Sequence, residues 1–207
     1  MNILIVGANG KTGRALVQQA RALGHQVTAL VHHAPDQPMQ CARILEGDAR
    51  NPDLLESALA GQDAVIDTIG TRKPFLKTTL ETDVARHLVA AMRRHGIRRI
   101  IAVSSLGVGD SIANTPALYR ALIPIFFRGA IPDKEGMESQ LRHSDLDWTI
   151  VRPAGLTDGP QTNAVQIVTP ASGRHVRRIS RADVAAFILA HLAGKDLYHG
   201  VVGIATQ

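Results

Sequence analysis

Cysteine occurs once in this chain of 207 residues, as Cys41, so no internal disulfide can form and no second thiolate can join it on a metal. Cys41 reads as a small residue beside a strand, and no metal site is expected. No charged-then-apolar leader precedes the first apolar segment, which with the lone thiol points to a reducing, cytoplasmic compartment. Aromatics are scarce: one Trp, two Tyr and four Phe. Tyr119, Phe126 and Phe127 fall together between Pro116 and Pro132, a stretch too short, and too broken by Arg120, Pro124 and Arg128, to cross a membrane. The net charge of +5 raises nucleic acid as a partner, but neither basic cluster has the interleaved aromatics that base stacking uses. Arg93, Arg94, His95, Arg98 and Arg99 straddle Gly96, where cations suit the negative pole of a helix and face water. Arg174, His175, Arg177, Arg178 and Arg181 read the same way. With no internal repeat, low-complexity tract or linker, and 45% hydrophobic residues, one α/β domain over residues 1–207 is expected.

What is present is concentrated at the start. An apolar run from Ile3 to Val6 leads into Gly7, Gly10 and Gly13, spaced G-x-x-G-x-x-G. A buried strand turning sharply into a helix brings free backbone N–H groups and the positive helix end up to a diphosphate. Gly7 serves the tight turn, Gly10 leaves room for the diphosphate, and Gly13 lets the helix pack on the strand. Leu16, Val17, Ala20 and Leu23 give the helix one apolar face, and Gly24 stops it.

Apolar β-branched runs then alternate with helical patterns. Strands are expected near Ile3–Val6, Val27–Val31, Arg43–Leu45, Ala64–Thr68, Ile100–Ser104 and Thr149–Arg152, with helices near 12–23, 52–60, 78–95, 134–143 and 181–193. Right-handed crossovers make this a doubly wound parallel sheet, a Rossmann fold with ligand at the carboxyl ends of the strands and a small C-terminal region covering the substrate. Ser180 and Asp183 form a capping box for the last helix, which makes Asp183 structural. His191 reads as a satisfied, partly buried histidine. The segment 116–132 fits either a substrate lid or a dimer surface, so the chain is expected as a monomer or a homodimer.

The second strand ends Leu30, Val31, His32, His33, without the carboxylate that accepts ribose hydroxyls in NAD-selective sites. A 2'-phosphate meets no repulsion there, and Lys11 offers a positive charge, so NADP(H) is favoured and NAD(H) remains usable. Gly47-Asp48-Ala49 follows the third strand and sets Asp48 towards the adenine. Gly70-Thr71-Arg72 follows the fourth, where Arg72 can reach phosphate or an anionic substrate.

The glycine turn, Gly47-Asp48, the stretch from Gln62 to Arg72, Ser104-Ser105, Asp147 to Pro153 and Ile179 to Asp183 together resemble an atypical short-chain dehydrogenase/reductase. Within that group the chain is similar to the NAD(P)H-binding proteins that include biliverdin-IXβ reductase, also called flavin reductase, and the NmrA-like redox sensors. The resemblance implies that Gly7, Asn9, Gly10, Lys11, Thr12 and Gly13 hold the diphosphate, and that His32 stands where many NADP-binding relatives place arginine. It implies that Asp48 and Ala49 border adenine, that Gly70, Thr71, Arg72 and Ser104 line ribose and nicotinamide, and that Pro153 and Ala154 close over the nicotinamide. Ser105 aligns with the flavin-reductase serine beside the reacting carbon. The dehydrogenase Tyr-x-x-x-Lys is broken: Lys134 stands at the lysine position, as a ribose ligand or a surface residue, but Ala130 replaces the tyrosine. Glu138 replaces a flavin-reductase histidine.

The expected activity is NADPH-dependent reduction of a flat conjugated acceptor, a flavin, quinone or tetrapyrrole, whose proton can come from solvent. Ser105, Lys134 and Tyr119 are the candidate catalytic residues, with Phe126 and Phe127 extending the wall that Tyr119 begins. The alternative is a non-catalytic NADP(H)-binding redox sensor. An epimerase of the extended family has little room here for a nucleotide-sugar domain.

Overall fold

In the computed structural model, the described residues are 1–115, 117–169 and 178–206, without the side chains of 117–119, 123 and 124. The elements run β1 (Asn2–Val6), α1 (Lys11–Ala22), β2 (Gln26–Val31), β3 (Arg43–Glu46), α2 (Pro52–Leu59), β4 (Ala64–Asp67), α3 (Leu80–Arg94) and β5 (Arg99–Val103). A 3-10 helix (Gly109–Asn114) follows, then α4 (Ala117–Phe126), α5 (Ala130–Arg142), β6 (Asp147–Pro153), β7 (Gly155–Thr157), β8 (Val165–Val168), β9 (Arg178–Ser180), α6 (Arg181–Ala190) and β10 (Gly200–Thr206). Eight strands form one sheet in the order β3-β2-β1-β4-β5-β6-β10-β8, and β7 pairs with β9 separately. All pairs in the large sheet are parallel except β8 against β10. The strand order reverses between β1 and β4, the crevice in which an open α/β sheet receives a ligand.

Two apolar layers sandwich the sheet. On one face Ile3, Ile5, Ala29, Ile66 and Ile101 meet Leu16, Val17 and Ala20 of α1 and Val184, Ile188 and Leu192 from α6 and its end. On the other, Leu4, Val6, Val65 and Ile100 meet Leu55, Leu88, Met92 and Leu141. Alternate residues of β1 therefore serve opposite layers, as the pleat requires.

The six expected strands are all present. The expected last helix starts on its cap: Asp183 N donates to Ser180 Oγ at 2.9 Å, and Ser180 Oγ donates to Asp183 Oδ2 at 2.8 Å. Asp183 also accepts from Thr162 N, Thr162 Oγ1 and Asn163 N, a structural role throughout. His191 stacks on Phe187 and keeps its Nδ1 2.8 Å from that residue's carbonyl. Three readings need correction. Leu23 is the exposed C-cap of α1 rather than part of its buried face. The fifth helix begins at Ala130, not 134, because Pro132 falls in its first turn, where a proline lacks no needed N–H. Arg99 is not on a solvated face: it is 5% exposed and donates to the carbonyls of Leu192, His191 and Asp147 and to Thr149 Oγ1. Its neighbours do face water, in ion pairs of Arg93 with Asp145, Arg94 and His95 with Glu56, and Arg98 with Asp147. Arg174, His175 and Arg177 lie outside the described residues. Among the described residues, no helix is long and apolar enough to cross a membrane.

Candidate functional site

The turn after β1 is built for an anion. Gly7 takes φ +77°, which L side chains rarely adopt, and Gly7 N and Ala8 N both donate to Leu30 O, at 3.0 and 3.1 Å. This ties the turn to β2. The helix that follows starts at Gly10, with no side-chain cap and no acidic residue in its first turn. By contrast Asn51 caps α2 and Ser180 caps α6. The first N–H groups of α1 therefore keep their positive pole for a ligand. A Cβ on Gly10 would meet only Gly7 O, at 3.2 Å, whereas one on Gly13 would stand 2.5 Å from Gly7 O and 2.7 Å from Ala8 Cα. Gly13 thus seats the helix on the turn, and Gly10 leaves the approach open.

Around the ends of β2 and β3, Asn9 Oδ1 accepts from Arg14 Nη2 at 2.6 Å, and Asn9 Nδ2 faces His33 O at 3.4 Å. His32 and His33 meet edge to face at 4.0 Å. Asp48 is gripped by Arg50, whose guanidinium hydrogen bonds hold the carboxyl down at about 2. Ala49 is buried in the core layer beneath them. Lys11, expected at a 2'-phosphate, instead donates to Asp158 Oδ2 at 2.6 Å on the α6 side of the turn. Arg14, which sequence reasoning overlooked, is the cation beside the end of β2.

A cavity of about 420 Å³ opens where β4, β5 and β6 end. Thr12, Thr68, Ile69 and Gly70 line it from the turns after β1 and β4, Val103 to Leu106 from β5, and Pro153 to Leu156 from β6, with Phe127, Ile131, Lys134 and Arg181 closing it. Of the residues expected from sequence, it gathers Thr12, Gly70, Ser104, Ser105, Lys134, Pro153 and Ala154. Asn9, Lys11, His32, Asp48, Ala49, Thr71 and Arg72 do not line it. Thr71 Oγ1 accepts from Lys73 N, and Arg72 is exposed. Phe127 belongs to the wall, whereas Phe126 is exposed and does not. The Tyr119 side chain lies outside the described residues. Sequence reasoning missed Thr68, whose Oγ1 donates to Val6 O at 2.8 Å and holds the β1 and β4 ends together, and gave Ile69, Leu106, Ile131, Leu156 and Arg181 no part in the site. Thr68 directly follows β4, Arg181 opens α6 and Ile131 is the second residue of α5, so their place in the chain was the available signal.

The two serines after β5 differ. Among the described residues, Ser105 Oγ is satisfied only by the adjacent Leu106 carbonyl, at 3.1 Å, and can turn to a ligand. Ser104 Oγ donates to the buried Glu138 at 2.7 Å, where Arg152 binds both carboxylate oxygens. Burial would raise the Glu138 carboxyl, but Arg152 and Ser104 outweigh it and hold it low. Glu138 is thus a strut under β5 and β6 rather than a group in the cavity.

Lys134 is not a surface lysine. Its side chain is 14% exposed and donates to Glu81 Oε2 at 2.7 Å. Burial pushes the Glu81 carboxyl up to about 7, against the pull of Lys134, and pushes Asp67, at the end of β4, up to about 6. Ala130, read from the sequence as the tyrosine position, is buried, and its N donates to Pro74 O.

The uncapped α1 terminus, the open side of Gly10 and a cavity continuing past β4, β5 and β6 fit an extended dinucleotide, and comparison with known proteins agrees. The model of the NAD(P)H-binding family matches residues 7–195. YhfK of Bacillus subtilis, named an uncharacterized sugar epimerase, is 31% identical over 206 residues, covering 95% of this chain and 90% of that one. Photosystem II assembly factor Ycf39 of Trieres chinensis is 28% identical over 93% of this chain, which spans about 60% of that protein. Among solved structures, ChuY of Escherichia coli O157:H7, an anaerobillin reductase, superposes with a TM-score of 0.81 at 28% identity, covering 100% of this chain and 97% of that one. This chain, matched by that model over residues 7–195, belongs to the NAD(P)H-binding family.

Proposed function

We propose that this protein is an NADPH-dependent reductase that passes a hydride to a flat conjugated acceptor: a flavin, a quinone or a tetrapyrrole. The observation behind this reading is the continuity of the uncapped α1 terminus with a mostly apolar cavity. Leu106, Phe127, Ile131, Pro153 and Leu156 offer a flat acceptor surface to stack on, while Ser105, Lys134 and Arg181 are its polar points. Nicotinamide supplies the reducing equivalent when bound. The chain binds the diphosphate at the α1 terminus, excludes water with the apolar wall and orients the acceptor through Ser105 Oγ. The buried Ala130 argues against alcohol oxidation through a tyrosinate. ChuY, named an anaerobillin reductase, supports the reductase reading. NADPH is preferred because no carboxylate follows β2, where His32 stands and where Asn9 links Arg14 to the His33 carbonyl. Oxidation of NADPH against a panel of flavins, quinones, biliverdins and small carbonyls tests the reading; binding without oxidation of any of them overturns it.

A second reading, a non-catalytic NADP(H)-responsive regulator, draws on the exposed Phe75, Leu76, Ile125 and Phe126 and on the similarity to an assembly factor. A partner bound only in one redox state of the nucleotide would favour it.

A further inference from the structure

Beneath the floor of the cavity lies a layer of buried charge that cofactor binding does not explain. Lys134, in the second turn of α5, lines the cavity and at the same time holds Glu81 of α3 at 2.7 Å. The Glu81 side chain is 2% exposed. Among the described residues, its second oxygen, Oε1, has no hydrogen-bond partner. Two further carboxyls face the pair: Asp67 from the end of β4, which accepts from Ile69 N at 3.0 Å, and Asp133 from α5. Asp133 is already met by three donors, Glu81 N, Thr82 N and Thr82 Oγ1, at the start of α3. That leaves Asp67 and Glu81 to share the one ammonium of Lys134.

Two buried carboxylates on one cation leave an uncompensated charge, which is costly away from water. A proton removes it. An unpartnered oxygen costs far less on a neutral carboxyl than on a carboxylate, so the orphaned Oε1 marks Glu81 as the holder. The raised Glu81 carboxyl agrees. The result is a stored proton one hydrogen bond behind a cavity-lining lysine, in a protein whose tyrosine donor is replaced by Ala130.

We propose that Lys134 Nζ gives a proton to the reduced acceptor and that Glu81 reprotonates Lys134, the pair standing in for the tyrosine absent at position 130. This rests on the reductase reading above and replaces solvent as the immediate proton source. Two electrons and one hydrogen reach the acceptor from the reduced nicotinamide, leaving an anion. An Nζ–H bond of Lys134 breaks as the new bond to the acceptor forms, and the Glu81 O–H bond breaks as Nζ–H is restored. Glu81 is left as a carboxylate paired with an ammonium, and water returns its proton on opening of the site. No other oxidant or reductant is involved.

Lys134→Arg is the sharpest test, because a guanidinium keeps the ion pair with Glu81 but does not release a proton. It should retain NADPH affinity, read by fluorescence titration, and lose roughly 100-fold in kcat, within the range ascribed to general acids. Glu81→Gln should lose the fall in kcat above about pH 7 and turn over slowly at every pH. In the cofactor-free protein, a protonated-carboxyl infrared band should be present at about pH 6, fade by about pH 8 and be reduced in Glu81→Gln to the part that Asp67 contributes. If Glu81→Gln does not fold, Lys134→Arg and the wild-type band decide the matter. Full turnover by Lys134→Arg, or no protonated carboxyl at about pH 6, overturns the proposal and leaves the reductase reading standing. If the wild-type protein oxidises NADPH with no acceptor, the reductase reading falls and takes the proposal with it, even with the infrared band present.

Discussion

Lys11 and Asp158 join the start of α1 to the loop after β7 through an ammonium–carboxylate contact of 2.6 Å, and Arg181 of α6 holds the other oxygen of Asp158. Arg181 lines the cavity, so this clasp ties the start of α1 to the cavity rim rather than to the end of β2. Lys11 can reach a bound diphosphate only by leaving Asp158, and both groups are well exposed, which limits its net gain. Lys11→Ala should therefore weaken NADPH and NADH alike, by roughly tenfold or less (about 1.4 kcal/mol). Titration of both nucleotides reads this. A loss confined to NADPH would return Lys11 to the 2'-phosphate.

Gly10 and Gly13 should separate binding from folding. The Cβ of a Gly10→Ala protein stands a tight 3.2 Å from Gly7 O and needs only a small shift of the turn, and a Gly10→Val protein should keep its circular dichroism while losing both nucleotides, because the branched side chain fills the diphosphate's approach. Gly13→Ala drives a methyl into the backbone of Gly7 and Ala8 and should cost about 1–3 kcal/mol of stability. Retained nucleotide binding in Gly10→Val would reduce the turn to a packing device.

The turn and six strands were legible because their signals are local: glycine spacing, and apolar runs within a few residues. What escaped the sequence depends on distant partners. Arg99 reads as one more cation in a basic cluster until its partners Leu192 and His191, more than 90 positions away, turn it into a buried cap on the end of α6. Lys134 could be a surface or a ribose lysine until Glu81, 53 positions away, fixes it inside. Strand β10 (GVVGIAT) has two glycines and no alternation, so only its pairing with β6 and β8 defines it. The serine pair was found by its place after β5, but the sequence could not say that Ser104 belongs to Glu138 and Ser105 to the cavity.

Arg99 supplies its own test. It donates four hydrogen bonds from a buried position, and Tyr198 lies 4.7 Å from its guanidinium. Arg99→Ala should orphan three carbonyls and lower stability by about 3–5 kcal/mol, measured by denaturant unfolding. A change within about 0.5 kcal/mol would mean that water replaces the guanidinium at the α6 terminus.

Ser105 and Phe127 should affect different kinetic constants. If Ser105 Oγ orients the acceptor through one hydrogen bond, Ser105→Ala slows turnover by roughly tenfold. Phe127 stacks in the ground state as much as in the transition state, so Phe127→Ala should chiefly raise the acceptor KM. Phe126→Ala, altering an exposed ring outside the cavity, should leave both constants near wild type. The reverse order of effects would move the acceptor to the outer face of α4.

The buried acids set a direction for stability against pH. Glu81 and Asp67 hold their protons in the folded protein up to about 7 and about 6, whereas in the unfolded chain they release them near 4. Between those values the folded state binds more protons, so this part of the stability is greatest at low pH and declines as pH rises from about 4 to 7. Asp48, held down at about 2 by Arg50, acts in the opposite sense: its contribution is complete above about pH 4 and is lost as pH falls towards 2. The two trends place the stability maximum near pH 4 to 5, unusually acidic for a protein with a net charge of +5. Urea unfolding across pH 3 to 8 should show this, and Glu81→Gln, which has no proton to release, should flatten the decline between about pH 4 and 7. An unchanged slope in that variant would mean that Glu81 is ionised throughout and that Asp67 alone holds the shared proton.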